Sequence, residues 1–125
     1  MKKSPMKFPR EARLLKAPQF RAVFRGGRRA QTGPLRARLK ENGLEHSRLG
    51  LAISRKAARS AVGRNRVRRQ VKESFRRHQH RLAGLDIVVS LYPSSDRGEK
   101  SLWPQLPSLW KAVARVHGRE SKWND

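Results

Sequence analysis

Residues 62–75, VGRNRVRRQVKESF, decide how the rest of the chain is arranged. Val67, Val71 and Phe75 recur at four-residue intervals, and a turn of about 100° per residue gathers them with Leu82 into one arc of a helix. A neighbouring arc carries Asn65, Arg68, Arg69, Lys72 and Arg76. The stretch therefore reads as a helix running from Val62 or Asn65 to about Leu82, with one face docked on a core and the next face cationic. Ser60 is placed to cap its first turn, and Gly63, a poor helix former, marks an irregular entry or a close approach.

The charges on this helix are of one sign. Arg64 and Arg68, Arg68 and Lys72, and Lys72 and Arg76 stand four apart, a spacing at which like charges cost about 0.2–0.5 kcal/mol per pair. Between His46 and Asp86 there are twelve Lys or Arg and a single acid, Glu73. A polyanionic partner relieves that repulsion, and a merely solvated face would interleave the signs.

Working outward, Ala17-Pro18 opens a short helix in which Phe20, Val23 and Phe24 fall at i, i+3 and i+4, and Gly26-Gly27 ends it. The two phenylalanines are either core or the wall of a groove where bases stack, and spacing does not separate these. Leu35, Ala37 and Leu39 alternate with Arg36, Arg38 and Lys40, and Arg48 to Ser54 alternates again. With Asn42-Gly43 between them, the two read as an antiparallel hairpin. Ala83-Gly84 ends the central helix, and Asp86 to Leu91, DIVVSL, is a buried central strand. The strand–helix–strand order predicts a crossover onto the same sheet. Residues 93–100 form a polar loop, and a last helix begins near Pro104, with Leu106, Leu109, Trp110, Val113 and Val116 on its apolar face and Gly118 at its end.

A chain of 125 residues has room for one domain. Residues 1–15 read as a flexible basic arm, 16–118 as the folded unit and 119–125 as a polar tail. The formal net charge of +22 comes from 31 basic against 9 acidic residues, 21 of the basic ones arginine. Arginine's planar fork suits phosphates and bases, so the excess points to nucleic acid more than to lipid. Absence of cysteine excludes disulfides and thiolate chemistry. The N-terminus lacks the apolar run of a secretory signal, and no window approaches a membrane span. These features are those of a soluble, cytoplasmic protein.

The sequence offers no active site of its own. The nine acids are scattered, without paired carboxylates, a nucleophile elbow or a phosphate-cradling glycine loop. His46, His78, His80 and His117 have no completing ligands, and His78 and His80, two apart, point to different sides of a helix. No protein-built metal site is expected, and any catalytic groups belong to a partner.

Read together, GRNRVRRQVKESFR, FRAVF at 20–24, RLGLAISRK at 48–56, DIVVSL and LPSLW resemble the protein subunit of bacterial ribonuclease P over roughly residues 10–116. The resemblance implies an α+β fold, a small single-domain α/β sandwich in the order α-β-β-β-α-β-α with a left-handed strand–helix–strand crossover, an exception to the usual hand. It also implies a further strand, or a divided one, between Arg28 and Ser54. The activity implied is removal of the 5′ leader from precursor tRNA by an RNA subunit with magnesium ions, which that RNA mainly binds. Ribonuclease P RNA and precursor tRNA are the partners, and no obligate protein partner is inferred. Carried over residue by residue, Arg64, Asn65, Arg66, Arg68, Arg69 and Lys72 contact the catalytic RNA, with Asn65 either meeting RNA or holding the crossover backbone. Phe20 and Phe24 stand beside the leader-binding cleft, and Arg36, Arg38, Arg55 and Lys56 supply charge to it. Some members carry an aromatic on the first strand facing that cleft; LRARLK has none. The competing reading from composition alone is a structural RNA-binding protein, such as a ribosomal protein or an RNA chaperone.

Overall fold

The structure, a computed structural model, describes residues 17–92 and 102–118. The basic arm at 1–15, the polar loop at 93–100 and the tail at 119–125 lie outside the described residues. In chain order the elements are helix α1 (Ala17–Gly26), strands β1 (Arg28–Thr32), β2 (Leu35–Glu41) and β3 (Arg48–Ala52), helix α2 (Ala61–His78), strand β4 (Leu85–Leu91) and helix α3 (Leu106–Val116). Short 3-10 turns at Gln79–Leu82 and Trp103–Gln105 extend α2 and lead into α3. The single domain is of mixed α+β class, in the order that the resemblance implies, with β1 as the further strand.

The sheet runs β1-β2-β4-β3. β1 and β2 form an antiparallel hairpin, Ala30 opposite Ala37, through a turn in which Gly33 takes φ of 57°. β2 pairs antiparallel with β4, and β3 pairs parallel with β4. The antiparallel hairpin of β2 with β3 that alternation predicts is therefore wrong. β4 lies between them because Leu85 to Val89 are buried on both faces, and such a strand needs a neighbour on each side. β3, in which Leu49 is buried and Ala52 exposed, takes the edge. The turn at Asn42-Gly43 does form, with φ of 71° at Gly43, but its Asn42 turns towards β4: the backbone N–H donates to the Gly84 carbonyl at 2.9 Å and Nδ2 to Asp86 Oδ1 at 2.9 Å.

Asp86 fixes this junction. Its two oxygens accept from Arg48 Nε at 2.7 Å and Arg48 Nη2 at 2.6 Å, which joins the first residue of β3 to β4 across the parallel pair. The hydrogen bond to Asp86 raises the pKa of the half-buried Arg48 above its usual value.

The two faces of the sheet are covered unequally. Leu35, Ala37, Leu39, Ile87 and Val89 face α2 and α3, where Val67, Val71, Phe75, Leu109, Trp110 and Val113 complete the main core. The Trp110 ring meets Phe75 edge-on at 5.6 Å, and its Nε1–H donates to Ser74 Oγ at 2.8 Å, so the one polar atom of the ring is satisfied inside the core. On the opposite face the apolar contact is small, Val23 and Phe20 of α1 against Val88, and Arg36 and Lys40 of β2 stay exposed.

Gly27 lets α1 lie this close. A Cβ there would collide with the Val23 carbonyl oxygen and sit 2.8 Å from that of Leu39, both fixed backbone atoms. Gly27→Ala is expected to lower stability by about 1–3 kcal/mol. Gly26→Ala, whose Cβ meets only the end of the Lys40 side chain at 3.3 Å, should change the thermal midpoint far less. Equal effects would show that the packing of α1 does not depend on this approach.

Candidate nucleic-acid interface

The connection from β3 into α2 is built from backbone hydrogen bonds. The Ser54 carbonyl accepts from Ala57 N at 3.2 Å and Ala58 N at 3.1 Å, and both alanines are fully buried. Ser60 caps α2, its Oγ accepting from Gly63 N at 2.9 Å. A Cβ on Gly63 would lie 3.0 Å from that oxygen, a tight approach to the capping side chain. Arg64 then reaches back: its Nη1 donates to the carbonyls of Ala58 at 3.1 Å and Arg59 at 2.9 Å. Arg64 thus holds the backbone of this connection, and Asn65 beside it is exposed.

Along α2, Asn65, Arg69 and Lys72 are exposed and Arg68 half-buried on one arc. Arg66, also exposed, lies about 100° around from Asn65, on the side of Glu73 and Arg77. Glu73 binds Arg76 through both oxygens and Arg77 Nε at 3.4 Å. The hydrogen bond from Arg76 holds the Glu73 carboxyl below its ordinary pKa, and the charges of Arg76 and Arg77 add to this. The helix's single acid is thereby committed to Arg76, which stands on the arc itself, and to Arg77, and among Asn65, Arg68, Arg69 and Lys72 there is no carboxylate. At the end of α2, His78 Nδ1 meets the Ser74 carbonyl at 2.8 Å, and burial, with the nearby cations, pushes its pKa down.

On the other face of the sheet a groove of about 400 Å³ is lined by Phe24, Arg29, Gln31, Arg36, Arg38 and Ser90, together with Ala30 and Ala37. No acid is among its lining residues. The two candidate phenylalanines divide: Phe20 packs against Val23 and Val88, whereas Phe24 is 42% exposed. Arg38 places its guanidinium 5.5 Å from the Phe24 ring centroid and donates to the Phe24 carbonyl at 3.1 Å. Arg36 lies 4.0 Å over the ring of Tyr92, a residue that charge and spacing do not single out. Its signal in the sequence is the parity of β4, which puts Val88, Ser90 and Tyr92 on the face opposite Ile87 and Val89.

Register places these features at one end of the sheet. Leu35 stands opposite Leu91, and Ala52 opposite Ser90. Arg36, Tyr92, the turn bearing the exposed Arg55 and Lys56, and the entry to α2 therefore gather at the end where β3 and β4 finish. Arg55 and Lys56 follow the edge strand β3, with β4 and β2 between them and β1, and they are not among the groove's lining residues.

The ribonuclease P family model matches residues 8–114. The chain belongs to the ribonuclease P protein family. It is 43% identical over 114 residues to the ribonuclease P protein component of Stutzerimonas stutzeri, covering 86% of this chain and 84% of that protein. To the ribonuclease P protein component of Pseudomonas aeruginosa it is 44% identical over 118 residues, 90% of this chain and 84% of that one. The solved ribonuclease P protein of Thermotoga maritima superposes with a TM-score of 0.69 at 30% identity, over 82% of this chain and 96% of that one. A bacterial-type ribonuclease P protein is one component of an endoribonuclease of tRNA processing, and its partner in the ribonucleoprotein is RNA. No helix among the described residues is long and apolar enough to cross a membrane.

Proposed function

We propose that this ribonuclease P protein binds the catalytic RNA through Asn65, Arg66, Arg68, Arg69 and Lys72, with Arg64 shaping the approach. In this reading the groove of Phe24, Arg36 and Arg38, flanked by Phe20, Arg55 and Lys56, receives the 5′ leader of precursor tRNA. The assembly removes that leader endonucleolytically to leave the mature 5′ end. The observation that supports the reading is the cationic arc of α2, beside a Glu73 already held by Arg76 and Arg77, with the helix entry at the same end of the sheet as the groove's Arg36, in a chain of this family.

The protein's part is positioning and charge. Arginines that clamp phosphates hold substrate and RNA in register, which lowers the entropic part of the barrier, and the basic surface releases counterions as the complex forms. Magnesium ions held by the RNA supply Lewis acidity to the phosphate. Three of the described carboxylates already have partners: Asp86 meets Arg48 and Asn42, Glu73 meets Arg76 and Arg77, and Glu41 meets His117. Among the described residues there is no cluster of three His, Cys, Asp or Glu. In this reading the RNA carries the chemistry and the protein holds RNA and substrate in place.

Cleavage of a leader-bearing precursor tRNA by a bacterial ribonuclease P RNA at low magnesium, with and without this protein, tests the proposal. Rescue by the wild type, lost or much weakened when Arg64 and Arg68 are both changed to alanine, is the expected result. Tight binding to structured RNA in general without rescue would favour a structural RNA-binding role instead.

A further inference from the structure

We propose that Tyr92 and Arg36 form a base-stacking subsite for the leader, the second of two such rungs along β2. This rests on the reading of the groove as leader-binding and adds to it a specific contact.

Arg36 and Arg38 project from the same face of β2, two residues and so about 6.6–6.8 Å apart. Each lies against an aromatic ring contributed by a different element, Arg38 against Phe24 of α1 and Arg36 against Tyr92 at the end of β4. Neither ring belongs to the core: Phe24 is 42% exposed and Tyr92 48%. The separation of the rungs is about twice the 3.4 Å rise of stacked bases along one strand. An extended strand with its bases splayed apart can therefore address both, one nucleotide to each.

The Arg36 rung is held in place before any strand arrives. The Tyr92 backbone N–H donates to the Pro34 carbonyl at 2.7 Å, which ties the ring's own residue to the start of β2. With Tyr92 beneath it, the Arg36 guanidinium is a flat plate whose other face is open to a base and whose N–H edges reach towards the neighbouring phosphate. Among the described residues no carboxylate competes for it. β2 carries no aromatic of its own, so Tyr92 supplies from the adjacent strand the ring that LRARLK lacks. Stacking of this kind accepts any base, and the subsite adds affinity along the leader without reading its sequence.

The test uses the holoenzyme reconstituted with a bacterial ribonuclease P RNA. The quantity measured is the ratio of its affinity for a precursor tRNA with a leader of several nucleotides to its affinity for the leaderless mature tRNA. Tyr92→Ala is expected to lower this ratio about 5-fold or more, the usual effect of deleting one stacking ring. Tyr92→Phe should restore it and Tyr92→Leu should not; a ratio that Tyr92→Phe leaves low would mean that the hydroxyl acts, which overturns stacking. Phe24→Ala in the same assay separates the two readings. If it lowers the ratio while Tyr92→Ala does not, the groove stands and the Tyr92 subsite is overturned. If neither changes it, the groove reading falls and the subsite with it.

Discussion

A chain carrying Arg68→Ala, Arg69→Ala and Lys72→Ala together is expected to bind ribonuclease P RNA about 100-fold more weakly, or worse, with its thermal midpoint unchanged or raised. Hydrogen bonds to charged groups contribute about 1.5–3 kcal/mol each. Even partial expression of three such bonds exceeds the roughly 2.7 kcal/mol that a 100-fold change requires. The slope of log K against log salt should become shallower by about 0.9 for each duplex phosphate that the variant no longer neutralises, and by about 0.7 for each phosphate of a single strand. The fold has no reason to suffer. These side chains lie outside the Val67, Val71 and Phe75 face, alanine is the better helix former, and the Arg68–Lys72 repulsion is removed. An unchanged salt slope would place the RNA on another surface. Arg64→Ala is a less clean probe, because it also strips the donor from the carbonyls of Ala58 and Arg59, and its weaker binding mixes direct recognition with geometry.

Asp86→Ala is expected to cost about 2–3 kcal/mol of stability, less than the roughly 3–5 kcal/mol for breaking a fully buried ion pair from one side. The side chains of Arg48 and Asp86 are only 21% and 10% exposed, so water takes over the charge that remains only in part. Asn42 Nδ2 loses one of its two acceptors at the same time and keeps the His46 carbonyl. For a domain of this size the thermal midpoint should fall by about 10 °C. Replacing both partners, Arg48→Met with Asp86→Leu, should recover most of the stability, since the penalty comes from the orphaned charge and not from the absence of a salt bridge. A change below about 1 kcal/mol in the single variant would mean that the pair behaves as a surface ion pair.

Much of this was legible in the sequence, and the exceptions have physical causes. The central helix, its Ser60 cap, its buried Val67–Val71–Phe75 stripe and the buried strand after it follow from period and turn chemistry, and the structure has them where the sequence puts them. Strand β1 gave no local signal because Ala30 is its one buried residue among RRAQT; the family resemblance supplied the strand. Pairing of β2 with β3 failed because alternation fixes which side of a strand is apolar and says nothing about its neighbour. The strand that intervenes lies more than thirty residues further on. At the interface, charge and spacing located the cationic arc, but they could not divide Phe20 from Phe24, since both satisfy the same period. Nor could they show that Arg64 serves the backbone or that Tyr92 lies beneath Arg36. Those facts depend on which segments the fold brings together.

The strand order also bears on how the molecule comes into being. β4 is the last strand to be synthesised, and the sheet cannot be joined without it, because β2 and β3 meet only through it. While the chain is being made, the hairpin of β1 and β2 is the one pairing that can close locally. The strongly basic segment from Arg48 to Arg81 must wait without its scaffold until Leu91 has emerged. Such a topology, rich in pairings distant along the chain, makes folding slower than helix formation alone would suggest. It also makes it cooperative: the cationic helix gains its platform, the groove its Arg36–Tyr92 pair and the core its central strand in a single late event.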